Sequence, residues 1–208
     1  CQRFDMFFMI GLPEQTSGSA IGSAEYTRKL YSQNNNDKRL LVYTSPLAPF
    51  LDPGSMAFES PERFGYRLFA RTLEEHRSRL ESPNWRDVLS YETFNLSRDQ
   101  IVQASYDAAD RLNDVRVEVG LMTVEEKRLR EARSKDARQL MKEVESAMRL
   151  QDAASREETL ARLKQRGEDL MESTICQKRD LEWDSPSVFR SIPRAMYALM
   201  FRRKPRSG

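Results

Sequence analysis

The chain is poor in the residues that build metal centres and disulfide cores. Its 208 residues include two cysteines, Cys1 and Cys176, and a single histidine, His76. Two cysteines make no disulfide framework and no metal site by themselves. Long apolar runs are missing as well. None approaches the ~20 residues of a membrane-spanning helix, and the cytoplasm is the expected compartment. Hydrophobic residues make up 39% of the chain, below the roughly 45–50% of an ordinary globular protein. Charged residues reach 32%, above the usual ~25%. That balance predicts long exposed helices rather than one thick core. Acids vanish near the end of the sequence. Of the 34 basic residues, six lie from Pro186 onward with no acid among them, leaving 28 against 32 acids in the first 185 residues. A basic tail on a mildly acidic body suits an anionic partner such as a membrane surface. A solvated terminus is the plainer reading, and nucleic acid is not an expected partner.

What is present begins with an apolar strand. Phe4 to Ile10 runs into Gly11-Leu12-Pro13. Phe7 to Ile10 lacks polar alternation, which predicts a parallel strand buried on both faces. Such a strand needs neighbours on both sides, so the chain is expected to be the C-terminal piece of a larger protein. Thr16 or Ser17 caps a helix to about Gln33, with Ile21, Ala24, Leu30 and Tyr31 on its inner face. Leu40 to Tyr43 is a second apolar strand, giving a βαβ unit with strands at 4–10 and 40–44 adjacent and parallel. The Pro-rich stretch from Thr44 to Ser55 excludes regular structure. Ser60-Pro61 predicts a helix from Pro61 to about Leu80. Capping signals at Ser97 and Thr123 open helices to about Asn113 and Leu150. Ser155 opens another to about Lys178, with Gly167 a weak point, and a last helix spans Ile192 to Arg203. No internal repeat is present.

Two stretches carry a family resemblance. Phe8-Met9-Ile10-Gly11-Leu12-Pro13-Glu14-Gln15-Thr16 resembles the fifth-strand segment of radical S-adenosylmethionine (SAM) enzymes, with Glu14 and Gln15 where that family more often has Gly and Glu. Phe50 to Glu62, Phe64 to Leu68 and Arg71 to Arg77, continued through Trp85, Tyr91-Glu92-Thr93 and Arg98 to Val102, resemble radical SAM proteins with an upstream cobalamin-binding domain. The likeness spans roughly residues 4–122.

The resemblance implies an α/β fold: the C-terminal part of a partial (β/α)6 barrel at residues 1–59, a helical extension at 60–122, and a charged, mainly α-helical region with the basic tail at 123–208. It implies SAM, a [4Fe-4S] cluster and cobalamin as cofactors of the whole enzyme, with methyl transfer or C–C bond formation as the reaction and a small-molecule or lipid-like substrate. The cluster of that family sits on a Cys-x-x-x-Cys-x-x-Cys motif, which this sequence lacks. The metal ligands and the cobalamin domain are therefore expected in the N-terminal half of the same protein. This chain would supply one wall of the SAM and substrate site at its strand exits, through Met9, Ile10, Gly11, Pro13, Thr44 and Ser45. Gly11, lacking a Cβ, either lets a ligand approach its backbone or simply makes a tight turn.

Asp52, Glu59 and Tyr66 are the catalytic candidates. Asp52 overhangs the expected barrel mouth and suits a substrate hydroxyl or proton transfer, or it forms a turn in Asp-Pro-Gly. Tyr66 reaches the mouth or only packs. His76, among Arg71, Glu75 and Arg77, reads as a surface or ion-paired residue. Trp85, Tyr91 and Phe94 are expected to anchor a loop. Leu129, Ala132, Leu140, Val144 and Met148 form one spaced helix face suited to packing or a coiled coil. Ala195 to Phe201 ahead of Arg202-Arg203-Lys204 is either an interfacial membrane anchor or a docking helix. A non-enzymatic rival reading follows from the charged second half: a helical interaction module with a basic amphipathic end.

Overall fold

In the computed structural model, residues 3–46, 50–82 and 85–170 are described. The fold is mixed α/β and mostly helical, with two small sheets. Cys1–Leu170 makes one compact unit. The expected helix at 192–203, the basic tail and both cysteines lie outside the described residues.

The βαβ unit forms as the two apolar runs predict. Strand β1 (Phe4–Ile10) and strand β2 (Leu40–Pro46) pair in parallel, from Phe4 opposite Leu40 to Ile10 opposite Pro46. Helix α1 (Ser17–Gln33) joins them. Thr16 caps it, its hydroxyl accepting from the Ser19 amide while the Ser19 hydroxyl accepts from the Thr16 amide. Its buried stripe is Ala20, Ala24, Thr27 and Tyr31; of the expected face Ala24 and Tyr31 are buried, while Ile21 and Leu30 are only half-buried. Among the described residues no third strand extends this sheet and no barrel is closed.

The expectation of two buried faces on β1 is corrected. Met6, Phe8 and Ile10 turn inward with Leu40 and Val42. They pack against Ala20 and Tyr31 of α1 and against Ile101 and Val115 of a later helix. On the other face Phe7 is 43% and Met9 47% exposed. The strand is apolar on both sides, but the described residues cover only one.

The second correction falls at residues 61–80. In place of one helix there is a 3-10 turn at Pro61–Phe64, a strand β3 (Tyr66–Leu68) and a short helix α3 (Leu73–Leu80), preceded by helix α2 (Met56–Glu59). Gly65, at φ 76, ends the 3-10 turn in the left-handed region, where glycine carries no steric penalty. β3 pairs antiparallel with strand β4 (Tyr91–Thr93), just after helix α4 (Trp85–Val88). Tyr66 and Tyr91 enter the main core with Ile10, Phe58 and Leu89.

Helix α5 (Arg98–Glu118) opens on the Ser97 capping box and buries Ile101, Val102, Ala108, Leu112 and Val115 against α1 and the sheet. Helix α6 (Val124–Met148) opens on the Thr123 capping box and pairs with helix α7 (Ala153–Leu170). Of the expected α6 face only Leu140 and Val144 are buried. Leu140 and Val144 pack with Ala147 and Leu163, while Leu129 and Met148 are more than half exposed and Ala132 is exposed. Gly167 lets α7 approach α6 closely, since a Cβ there would lie 3.3 Å from Leu140 Cδ2. Arg86, also paired with its neighbour Asp87, ties α4 to α5 and α6 through ion pairs with Asp99 and Glu145. Among the described residues no helix is long and apolar enough to cross a membrane.

Candidate functional site at the strand exits

Parallel strands end together, so the parallel register brings the two exits side by side. Met9 stands opposite Ser45 and Ile10 opposite Pro46. The residues expected from the family pattern, Met9, Ile10, Gly11, Pro13, Thr44 and Ser45, thus share one end of one sheet. The side chains of Met9, Ile10 and Thr44 divide between its faces. Met9 lies on the open face, and Ser45 is its register partner. Ile10 is fully buried on the helix side. Thr44 follows Val42 on that side, and its Oγ1 is buried without a partner among the described residues.

The turn after β1 is held from within. Gln15 Oε1 accepts from the Gly11 amide at 2.8 Å and the Leu12 amide at 3.3 Å, while its Nε2 donates to the Met9 carbonyl at 3.2 Å. The glutamine amide fills both roles, whereas an ionised glutamate in its place could only accept. Glu14 takes φ 61, a left-handed conformation that favours glycine. The departure from the more common Gly-Glu pair therefore places a strained residue and a clamp side by side. Gly11 sits at φ 89, and a Cβ added there would lie 3.1 Å from the Tyr91 hydroxyl and 3.4 Å from Ile101 Cγ2. On that side protein fills the room left by the missing Cβ, so the turn alone accounts for the glycine.

The open face of the sheet is built on Tyr43. Its ring stacks on Phe7 with centroids 5.2 Å apart. The Arg116 guanidinium lies over the same ring at 5.7 Å and donates to the Val42 carbonyl at the far edge of β2. Phe7 approaches from β1 and Arg116 from the opposite edge, which sets Tyr43 between them. Arg116 also donates to Asn113 Oδ1 at 3.3 Å. Arg3 donates to the Tyr43 hydroxyl at 3.2 Å and pairs with Asp5 at 2.8 Å.

The catalytic candidates do not converge. Asp52 is exposed in a turn closed by the Ser55 amide on its own carbonyl, at 3.0 Å. Glu59 is exposed at the end of α2. Tyr66 is buried, its ring edge-on to Tyr91 at 5.6 Å, and burial raises its hydroxyl pKa. It packs rather than reaching a mouth. His76 is half-buried: Nδ1 lies 2.8 Å from the Thr72 carbonyl and so donates, and the ring meets Phe50 edge-on at 5.5 Å. Its Nε2 is buried without a partner among the described residues. Phe94 is exposed under Arg67, whereas Trp85 packs on the core as a loop anchor should.

The clamp made by Gln15 and the position of Arg116 were not foreseen from the sequence, whereas Tyr91, expected as a loop anchor, is buried in the core. A glutamine four positions after a turn glycine was the available signal for the first. Arg116 had none, because its role depends on where α5 crosses the sheet. Among the described residues no three His, Cys, Asp or Glu side chains gather to hold a metal ion. No family model, curated protein or solved structure matches the chain.

Proposed function

We propose that this chain is the C-terminal portion of a radical SAM enzyme, dependent on an iron–sulfur cluster and on cobalamin, acting in methyl transfer or C–C bond formation. The observation that carries the reading is the β1-α1-β2 unit. Its two parallel strands are covered by helices on one face, while on the other, apolar and aromatic in large part, no described residues lie over them, which is how a segment of (β/α) barrel wall is built. The motif residues stand at the C-terminal ends of those strands, where such folds place their chemistry.

The cluster finds no ligand set among the described residues. Its cysteines and the cobalamin domain belong to the N-terminal half of the enzyme on this reading. On this reading SAM lies at the exits, beside Met9 and its register partner Ser45. The role of this chain is to form that wall and to orient substrate against cofactors that supply the chemistry. The enzyme is cytoplasmic on this reading, with the basic tail available for peripheral membrane contact.

Hydrogen exchange on the protein encoded by the complete reading frame tests the assignment. SAM should slow exchange at residues 9–12 and 44–45. SAM bound without protection at either exit would remove the site from this chain. The rival, a helical interaction module, draws on the exposed Leu129 and Met148 of α6. It predicts a partner that protects α6 and leaves the strand exits unchanged.

A further inference from the structure

The open sheet face has a chemistry of its own. Phe7 and Met9 make an exposed apolar shelf, with Tyr43 stacked on Phe7. At the far edge of β2 the shelf ends in positive charge. Arg116 is fixed there by the Val42 carbonyl, Asn113 and the Tyr43 ring. Arg130 of α6 lies within electrostatic reach of both Arg116 and Tyr43, and Arg133 within reach of Arg130. The nearby acids are engaged. Asp5 pairs with Arg3 at 2.8 Å. Glu126, an opposing charge for Arg130, is turned to the helix cap, where it accepts from the Thr123 amide and hydroxyl at 2.8 and 2.9 Å. Like charges gathered beside an apolar surface favour a ligand that brings an anion to one end and hydrocarbon to the other.

We infer that this face binds an apolar molecule with an anionic head group, its chain along Phe7 and Met9 and its head at Arg116 and Arg130. The guanidinium of Arg116 is held by its backbone and ring contacts, leaving N–H groups for a carboxylate or phosphate, to either of which arginine bonds with two parallel donors. Arg130, more exposed, adds charge at the rim. The inference rests on the barrel-wall reading only in naming this molecule a substrate. Binding itself depends on the face alone.

The test uses the 208-residue chain with four probes of equal chain length: dodecanoate, dodecyl phosphate, dodecanol and dodecylammonium. Each is titrated below its aggregation concentration and followed by calorimetry and by the NMR signals of Tyr43. One of the anions should bind at least tenfold more tightly than the alcohol, and the ammonium most weakly. The tighter anion identifies the head group as carboxylate or phosphate. Arg116→Gln should bring that anion to the level of dodecanol. Arg130→Gln, at an exposed position that leaves the Val42 contact intact, should weaken it several-fold with no change in thermal unfolding. Tyr43→Ala should weaken every probe. Equal binding of all four, or anion binding indifferent to both arginine changes, would overturn the proposal. A chain that discriminates the anions while the complete protein holds no cluster keeps this face and loses the radical SAM reading. A cluster-bearing protein whose face binds all four alike does the reverse.

Discussion

Gln15 and Gly11 are joined by a 2.8 Å hydrogen bond from the Gly11 amide to Gln15 Oε1, at the point where β1 leaves the sheet. The same side chain also takes the Leu12 amide and donates to the Met9 carbonyl. Gln15→Leu keeps the size but leaves these three backbone groups without that partner. Loss of such bonds typically lowers stability by about 1–3 kcal/mol. Urea unfolding should show a drop in that range. An unchanged midpoint would mean that water replaces the clamp at no loss.

Tyr91 gives a prediction of opposite sign. Its ring is fully buried and its hydroxyl has no partner among the described residues, while burial drives its pKa far up. Tyr91→Phe removes an unsatisfied polar atom and opens space at Gly11, where an added Cβ would lie 3.1 Å from that hydroxyl. Thermal unfolding should show the variant at least as stable as the parent. Gly11→Ala should be destabilising alone, and less so in the Tyr91→Phe background. A clear loss on Tyr91→Phe would reveal a bonded hydroxyl.

Acid should loosen the contact between α1 and α5. The guanidinium of Arg111 on α5, and after it Arg28, hold the Glu25 carboxyl on α1 below its ordinary range. A depressed folded pKa gives stability that is present above the unfolded value, near 4.5, and lost as pH falls through the folded one. The gap between the parent and Glu25→Gln should be full at pH 6–7 and should close as pH drops below the carboxylate range. Because the pair is partly exposed, 1 M salt should shrink the gap at neutral pH. A gap that widens in acid would contradict the pairing.

Helix α7 packs on α6 and on no other element to a comparable extent among the described residues. Leu140, 9% exposed, and Leu163, 5% exposed, sit in that seam. Leu140→Ala removes buried apolar contact, which typically lowers stability by about 2–5 kcal/mol in a core. Here the loss should appear as faster amide exchange in α7 while α1 and α5 keep their protection. Uniform loss across the chain would show that the hairpin and the main core unfold together.

The elements legible in the sequence were those with local causes. Ser97 and Thr123 announce their helices because a hydroxyl and a Gln or Glu three positions on satisfy each other's amides. The βαβ unit follows from two apolar runs around one capped helix. The failures were non-local. Tyr66–Leu68 has too few residues to show strand periodicity and becomes a strand by pairing with Tyr91–Thr93, some 25 positions away. The run Phe7–Ile10 shows that both faces are apolar, but coverage is decided by neighbours. Leu129 and Leu140 sit on one helix face, yet only the latter meets α7. For the site, the motif located the strand exits. Asp52, Glu59 and Tyr66 stand out by chemical type alone, and neither exposure nor burial can be read from type.

The radical SAM reading is tested most directly by anaerobic purification of the protein encoded by the complete reading frame, followed by iron and sulfide analysis and a reductant-dependent assay for SAM cleavage. The account predicts one [4Fe-4S] cluster per chain, ligated outside the described residues, and cleavage of SAM or transfer of its methyl group only under reduction. A protein with no stoichiometric iron, or one that leaves SAM untouched with its cluster reduced, would contradict it.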